Sequence, residues 1–338
     1  MAIKNKHNFK YIENTAQKEA LTNEIKGNLF EFLVAQFLAR SFNIEGEFLS
    51  RCDKGLLSSF REYEVWLRKN QKELLTHLPK LAQSTASEIK SYLLNMFDSD
   101  PKEIVLVGKI AGGFHSDEFH EADIIALYED KIKPISLKLC KNKAYLNTKS
   151  AGSKSFFVKY FSAFKDAEFY QNTFNQMIDD GFDSFGQSLY SRRALDFSGS
   201  FDKSWVFGEL PGKLKGEDKE DLKNFYQIIL KNLHQMTQTL YHEDSSKFKS
   251  CLHALMGYSS QEILQSICYY KKIDKVPYQL AKTFVHDPLE IKNISIEEYS
   301  DHKTSFNIFI DESVLQLRVK PMNKFTTKSY KINCSILY

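Results

Sequence analysis

Long apolar runs are absent from this chain of 338 residues, and no stretch reaches the ~18 consecutive apolar residues of a membrane-spanning helix. The N-terminal segment MAIKNKHNFKYIENTAQKE also lacks the apolar core of a secretory signal peptide. Cysteine is scarce: the five residues are widely scattered without a C-x-x-C pair, which indicates neither a disulfide framework nor a cysteine zinc site. These absences predict a cytoplasmic protein that acts in a reducing compartment, without a membrane.

Several motifs of common enzyme classes are missing as well. There is no G-x-S-x-G, no Rossmann glycine fingerprint and no protein-kinase signature. The segment Ser150–Ser155 resembles the end of a P-loop, but the upstream glycine is absent and Ser153 interrupts the motif, which argues against ATP binding. The stretch from His115 to Asp123 is rich in histidine and carboxylates, yet its spacing matches no standard zinc motif. We interpret it as a polar active-site loop.

Helical periodicity in the first third of the chain predicts an amphipathic helix over Glu19–Phe42 and further helices over Leu56–Phe97, with a break near Pro79. The pattern then changes to strand-like runs, at Lys102–Ile110, Ala122–Asp130 and Lys133–Lys141. A tight polar turn joins the second run to the third, which predicts a β-hairpin.

The chain from Gly152 to about Lys272 is predicted to be mostly helical, and three strand-like runs follow Ser305. The order of elements is therefore helix, three strands, a helical insert and a β-rich C-terminal segment. This order predicts a mixed α/β or α+β architecture.

Charge is distributed unevenly behind a net value of +3. Residues 131–165 contain nine lysines and no acidic residue, and residues 314–338 contain five basic residues and again no acid. The rest of the chain is net acidic. Two basic blocks of this length, interleaved with hydroxyl and amide side chains, are typical of contacts with a nucleic-acid backbone. The candidate nucleic-acid-binding residues are Lys141, Lys143, Asn147, Lys149, Lys154, Arg318, Lys320 and Lys324.

The hairpin also brings together side chains that suit phosphodiester chemistry. Asp123 opens one strand, and Ser136 and Lys138 lie two residues apart on the next, so that their side chains point to the same face. Fourteen residues separate Asp123 from Lys138, which allows the two to approach each other across the hairpin. A carboxylate that holds a divalent cation and a lysine that orients water are the minimum for metal-assisted hydrolysis.

These residues resemble the core of the PD-(D/E)XK, or restriction-endonuclease-like, nucleases. In that superfamily a helix with a glutamate precedes a strand hairpin that carries an aspartate and then an acid-x-lysine motif. Glu31 in GNLFEFLVAQF, Asp123 in EADIIAL and Lys138 in ISLKL take these positions, and the resemblance covers about Glu19 to Lys165. It implies that Asp123 binds Mg²⁺, for which Mn²⁺ can substitute, that Lys138 serves the nucleophilic water, and that Glu31 completes the metal site.

One position departs from the superfamily pattern. The residue two before the lysine is normally acidic, but here it is Ser136, a poor ligand for a hard cation. The missing ligand could come from the carboxylate of Glu31, from that of Glu121 or from the backbone carbonyl of Leu137. We favour Glu31. The remaining alternative is a site without activity in a protein that only binds DNA.

The resemblance implies a restriction-endonuclease-like mixed sheet core flanked by helices in residues 1–165, and a second region, 166–338, for DNA recognition or oligomerisation. The favoured function is a Mg²⁺-dependent DNA endonuclease, similar to type II restriction enzymes, in which a homodimer would cut both strands. A catalytically inactive DNA-binding relative is one alternative. The other, from a different class, is a phage or virulence interaction protein without enzymatic activity.

Overall fold

The computed structural model describes residues 15–108, 111, 121–258, 262–274, 276–287, 291–301, 303–321 and 324–338. Over these ranges the chain is a mixed α/β protein with eight helices, a mixed five-stranded sheet and an antiparallel C-terminal sheet, which confirms the expected class. Contacts divide it into two compact units. The first comprises Met1–Ala144 and Tyr258–Leu289, and the second comprises Tyr145–Gly257 and Glu290–Tyr338.

The helices of the described ranges are α1 (Thr15–Ser41), α2 (Glu45–Arg51), α3 (Lys54–Asn70), α4 (Lys72–Met96), α5 (Phe156–Tyr160), α6 (Ala167–Ser191), α7 (Gly216–Glu243) and α8 (Ser245–Leu255). Short 3₁₀ turns occur at Ser153–Ser155, Lys203–Gly208 and Pro211–Lys213. The strands are β1 (Glu103–Leu106), β2 (Ile124–Leu127), β3 (Ile132–Lys141), β4 (Leu146–Gly152), β5 (Leu264–Ile273), β6 (Val276–His286), β7 (Ile294–Ile296), β8 (Ser305–Ile310), β9 (Ser313–Pro321) and β10 (Tyr330–Leu337).

The predicted N-terminal helix is confirmed as α1, which packs with α3 and α4 in the core of the first unit. The expected break near Pro79 is wrong, because the chain leaves helical geometry at Gln71, between α3 and α4, and Pro79 lies inside α4. A proline there deprives the carbonyl of Leu75 of its helical donor. Leu75 and Pro79 both line an open groove of the first unit.

The first unit is built on the mixed sheet, in the order β1-β2-β3-β5-β6, in which only β3 and β5 are parallel. β2 and β3 form the predicted hairpin, whose turn is closed by the N–H of Tyr128 donating to the carbonyl of Lys131 at 2.9 Å. The expectation that the chain stays helical to about Lys272 is wrong, since β5 begins at Leu264. As a central strand, β5 is buried on both faces in its first half and lacks the alternation that marks a half-buried strand.

The two faces of this sheet have different partners. Ile135 and Leu137 of β3 belong to the same apolar core as α1, α3 and α4. Ser136 and Lys138 alternate with them and therefore project from the other face. Ser136 is fully buried, and Lys138 is half-buried.

The second unit contains the antiparallel sheet, in the order β4-β10-β9-β8-β7. The strands predicted after Ser305 are confirmed as β8, β9 and β10. Pairing of β4 with β10 joins the segment after Tyr145 to the C-terminal strands. The sequence predicted a division after residue 165. In the structure, residues 145–165 belong to the second unit and residues 258–289 belong to the first.

All five cysteines are free thiols, as expected from their spacing. Among the helices of the described residues, none combines the length and the apolar content that crossing a lipid bilayer requires.

Candidate active site

Asp123 lies at the start of β2, where its backbone is held from both sides. Its carbonyl accepts the N–H groups of Val107 and Gly108 at 2.9 and 3.0 Å, and its own N–H donates to the carbonyl of Ile135 at 2.9 Å. The side chain is fixed as well, because the N–H of Leu137 donates to Asp123 Oδ2 at 2.6 Å. The carboxylate is therefore anchored between β1 and β3.

Ser136 and Lys138 extend the site along β3. Ser136 Oγ lies 3.5 Å from Asp123 Oδ2, which is a long hydrogen bond. The positive charge of Lys138 acts on both Asp123 and Glu31, since it counteracts the rise in the pKa of each carboxyl group. The structure thus brings together the three residues that the sequence proposed as catalytic.

Glu31 reaches this site from α1, beside Gly108, which lies two residues after the end of β1. A Cβ atom built on Gly108 would lie 2.4 Å from Glu31 Oε2 and 3.7 Å from Asp123 Cα. The missing side chain of Gly108 is therefore what admits the Glu31 carboxylate beside Asp123. Glu31 Oε2 is buried and has no hydrogen-bond partner among the described residues. An unsatisfied buried carboxylate oxygen is costly, and a cation is one way to satisfy it.

Both carboxyl groups hold their negative charge poorly in this environment. Burial, and secondarily the charge of Asp123, raise the pKa of Glu31 from 4.5 to about 8, whereas Lys138 acts in the opposite direction. Burial is also the main reason for the raised pKa of Asp123, and Glu121 adds to the rise. Lys138, the N–H of Leu137 and the hydroxyl of Ser136 oppose it. Even with Lys138 nearby, two desolvated carboxylates side by side favour the binding of a proton or of a further cation.

These residues fit a magnesium ion. Mg²⁺ is commonly held by one or two carboxylates, and water fills its remaining positions. Glu31 and Asp123 meet that requirement, and the unpartnered Oε2 of Glu31 is available to a cation. Glu121 is near enough to influence Asp123, but the described residues contain no group of three or more histidine, cysteine or acidic side chains arranged for a metal. The sequence proposed the backbone carbonyl of Leu137 as a metal ligand. In the structure, the N–H of the same residue donates a hydrogen bond to the Asp123 carboxylate.

The strand register extends the site to two residues that the sequence did not associate with it. Ser136 is paired with Gln265 on β5, and Gln265 is paired with His286 on β6, so the three side chains share one face. Gln265 is fully buried. Burial lowers the pKa of His286, and the positive charge of Lys282 lowers it further. No local motif marks either residue, because β5 and β6 follow the whole helical insert in the chain.

No protein-family model, curated protein or solved structure matches this chain significantly.

The candidate nucleic-acid-binding residues belong to both units. Lys141 and Lys143 lie exposed at the end of β3 and in the following turn of the first unit. In the second unit, Lys154 and Lys324 are engaged in ion pairs, with Asp179 at 3.1 Å and with Glu209 at 2.5 Å. The other four lie on the strands of the antiparallel sheet, namely Asn147, Lys149, Arg318 and Lys320. The histidines of the polar loop, His115 and His120, lie outside the described residues.

Proposed function

We propose that this chain is a Mg²⁺-dependent DNA endonuclease with a restriction-endonuclease-like core. The observation that carries the proposal is the assembly of Glu31, Asp123 and Lys138 from three separate elements around a buried carboxylate oxygen that lacks a partner. The order of elements supports the same proposal, because the helix that carries Glu31 precedes the hairpin. The parallel pairing of β3 with β5 makes the sheet mixed, as the resemblance implies.

Each residue has a defined role in this proposal. Glu31 and Asp123 hold the cation, and the hydrogen bond from Leu137 keeps the Asp123 carboxylate oriented. When bound, Mg²⁺ supplies the positive charge that neutralises the two carboxylates and stabilises the charge developing on the phosphate. Lys138, on the same strand face as Ser136, orients the attacking water and stabilises the same developing charge.

A cleavage assay tests the proposal. Supercoiled and linear DNA are incubated with the purified chain in Mg²⁺, in Mn²⁺ and in EDTA, beside the variants Asp123→Asn, Lys138→Ala and Glu31→Gln. We expect metal-dependent cleavage that falls by at least about 10²-fold in each variant, as is typical when a preorganised electrostatic contact is removed. Matched controls are Glu19→Gln, an exposed glutamate of α1, and Lys80→Ala, an exposed lysine of α4, which retain full activity.

A second candidate function is supported by Ser136, the fully buried hydroxyl at the position that the superfamily pattern gives to an acid. In a catalytically inactive DNA-binding relative, salt-sensitive binding persists and no cleavage occurs in either metal. Absence of DNA binding at low salt would contradict both functions, and would favour the interaction protein.

A further inference from the structure

The antiparallel sheet of the second unit has one apolar and one polar face. Side chains such as Phe306, Leu315 and Ile332 are buried on the first face, and their neighbours along each strand project from the second. None of the five strands β4, β7, β8, β9 and β10 contains an aspartate or a glutamate. We call the second face, formed by β4, β8, β9 and β10, the polar sheet face.

The strand register arranges the polar sheet face in rows of increasing polarity. At one end lies an apolar row made of Phe309, Val314 and Leu337. The opposite end carries the cationic pair Lys320 and Lys331. Two rows of amide, hydroxyl and guanidinium side chains lie between them, namely Asn307, Gln316, Ser335 and Asn147, and then Ser305, Arg318, Asn333 and Ser150.

The cations of this face are available to a ligand, in contrast to other basic residues of the same segment. Within the described residues, Arg318, Lys320 and Lys331 make no ion pair. Lys324 and Lys328, which lie between β9 and β10, contact Glu209 at 2.5 Å and Asp183 at 2.9 Å. The C-terminal basic block therefore contains two kinds of residue. Lys324 and Lys328 form ion pairs with acidic residues of the second unit, whereas Arg318, Lys320 and Lys331 lie on one sheet face without an acidic partner among the described residues.

The polar sheet face matches the chemistry of an unpaired nucleic-acid strand. Its cations suit phosphate oxygens, its amides suit the edges of bases, and the Phe309 ring, 42% exposed, offers a surface on which a base can stack. Four strands spaced ~4.8 Å apart are too wide to enter a major groove of ~12 Å, so bases within a duplex cannot reach this surface.

We infer that the polar sheet face of the second unit binds single-stranded nucleic acid, with one base stacked on Phe309 and the phosphates of nucleotides farther along the oligonucleotide contacting Lys320 and Lys331. The inference goes beyond the proposed cleavage reaction, because it does not depend on metal binding by Glu31 and Asp123. It assigns a role in binding to Asn333 and Phe309 and, within the C-terminal basic block, to Lys331, none of which is among the individual nucleic-acid-binding candidates of the sequence.

Fluorescence anisotropy with a labelled oligothymidine tests the contribution of the cations. A length of about 20 nucleotides exceeds the about 4–16 nucleotides that domains binding single strands usually cover. The full chain is measured in EDTA, so that cleavage cannot interfere, at salt concentrations between about 50 and 200 mM. In the triple variant Arg318→Gln, Lys320→Gln, Lys331→Gln, we expect the slope of log K against log salt to decrease by about 2, since each phosphate contact contributes about 0.7. The triple variant Lys215→Gln, Lys219→Gln, Lys231→Gln, at three exposed lysines in or next to α7, removes the same number of charges; it is the matched control and keeps the wild-type slope.

The contribution of stacking is tested separately. Phe309→Ala should weaken binding of the oligonucleotide by about 5- to 100-fold, the range associated with loss of one stacked base. Phe169→Ala, at a phenylalanine 66% exposed on α6, is the control and leaves affinity unchanged. The inference would be overturned if the control variants weakened binding as much as the test variants, or if a duplex of the same length competed as well as the single strand. Cleavage activity in the same preparations reports independently on the metal site.

Discussion

Replacing Glu31 by glutamine should stabilise the protein in the absence of metal. The substitution keeps the size and most of the shape of the side chain but removes a negative charge that is desolvated and faces Asp123. In wild type, the folded chain binds the Glu31 proton more tightly than the unfolded chain does, because the pKa is about 8 in the folded protein against an ordinary 4.5. The stability from this group is therefore complete below pH 4.5 and is lost as the pH rises through 8.

The size of the effect follows from the same pKa difference. At about 1.4 kcal/mol for each pKa unit, the full difference would correspond to ~5 kcal/mol at high pH. Glu31 is only half-buried, so solvent screening reduces this value, and we expect ~1–3 kcal/mol. For a unit of this size, that free energy corresponds to an increase of about 2–12 °C in the melting temperature.

Thermal unfolding of wild type and Glu31→Gln in EDTA, at pH 5 and pH 8.5, measures this effect. The variant should melt at a higher temperature than wild type at pH 8.5, and at nearly the same temperature at pH 5. Adding Mg²⁺ at pH 8.5 should stabilise wild type by ~2–3 kcal/mol at a metal concentration about 100 times the dissociation constant, and should leave the variant almost unchanged. Glu19→Gln, at an exposed glutamate of the same helix, is the control and follows wild type throughout.

A Glu31→Gln variant less stable than wild type at pH 8.5 in EDTA would contradict this prediction. That result would mean that the folded protein already satisfies the Glu31 carboxylate without a cation at this position.

Three further substitutions test other parts of the structure. Gly108→Ala would place a Cβ atom 2.4 Å from Oε2 of Glu31, so we expect loss of Mg²⁺-dependent stabilisation and of cleavage, while circular dichroism stays unchanged. Ser136→Asp adds a third buried carboxylate beside Asp123, so the apo protein should lose ~1–3 kcal/mol and bind Mg²⁺ more tightly in calorimetric titrations; weaker Mg²⁺ binding would contradict the assignment of this position. Gly186→Ala would bring a Cβ atom 2.4 Å from an aromatic ring packed against α6, and chemical denaturation should show a loss of ~1–3 kcal/mol.

Local sequence patterns predicted some residues of the candidate site and missed others. Asp123 and Lys138 are joined by a short hairpin, whose register follows from the tight turn between two strand-like runs, and Glu31 belongs to a helix that the spacing of apolar residues predicted. Local signals of this kind do not depend on the rest of the fold. Gln265 and His286 lack such a signal, because their place beside Ser136 depends on β3 pairing with a strand that the chain reaches only after the helical insert.

The break between α3 and α4 shows that a local helix breaker does not always predict where a helix ends. Proline is the strongest local breaker, and it predicted a break at Pro79, yet α4 continues through that position. The buried side chains on either side of it, Leu74, Leu78 and Leu81, pack in the core of the first unit. Tertiary packing therefore outweighed a local preference.

Composition and order along the chain by themselves determined the α/β class, the absence of a disulfide framework, the hairpin that carries Asp123 and Lys138, and the position of the two basic blocks. Only the tertiary structure decided which of those charges remain available. Lys324 and Lys328 are matched with carboxylates of distant segments, whereas Arg318 and Lys320 project from a sheet without acids. The physical reason is that ion pairing, strand register and burial depend on distances between residues far apart in the chain, and no local pattern contains those distances.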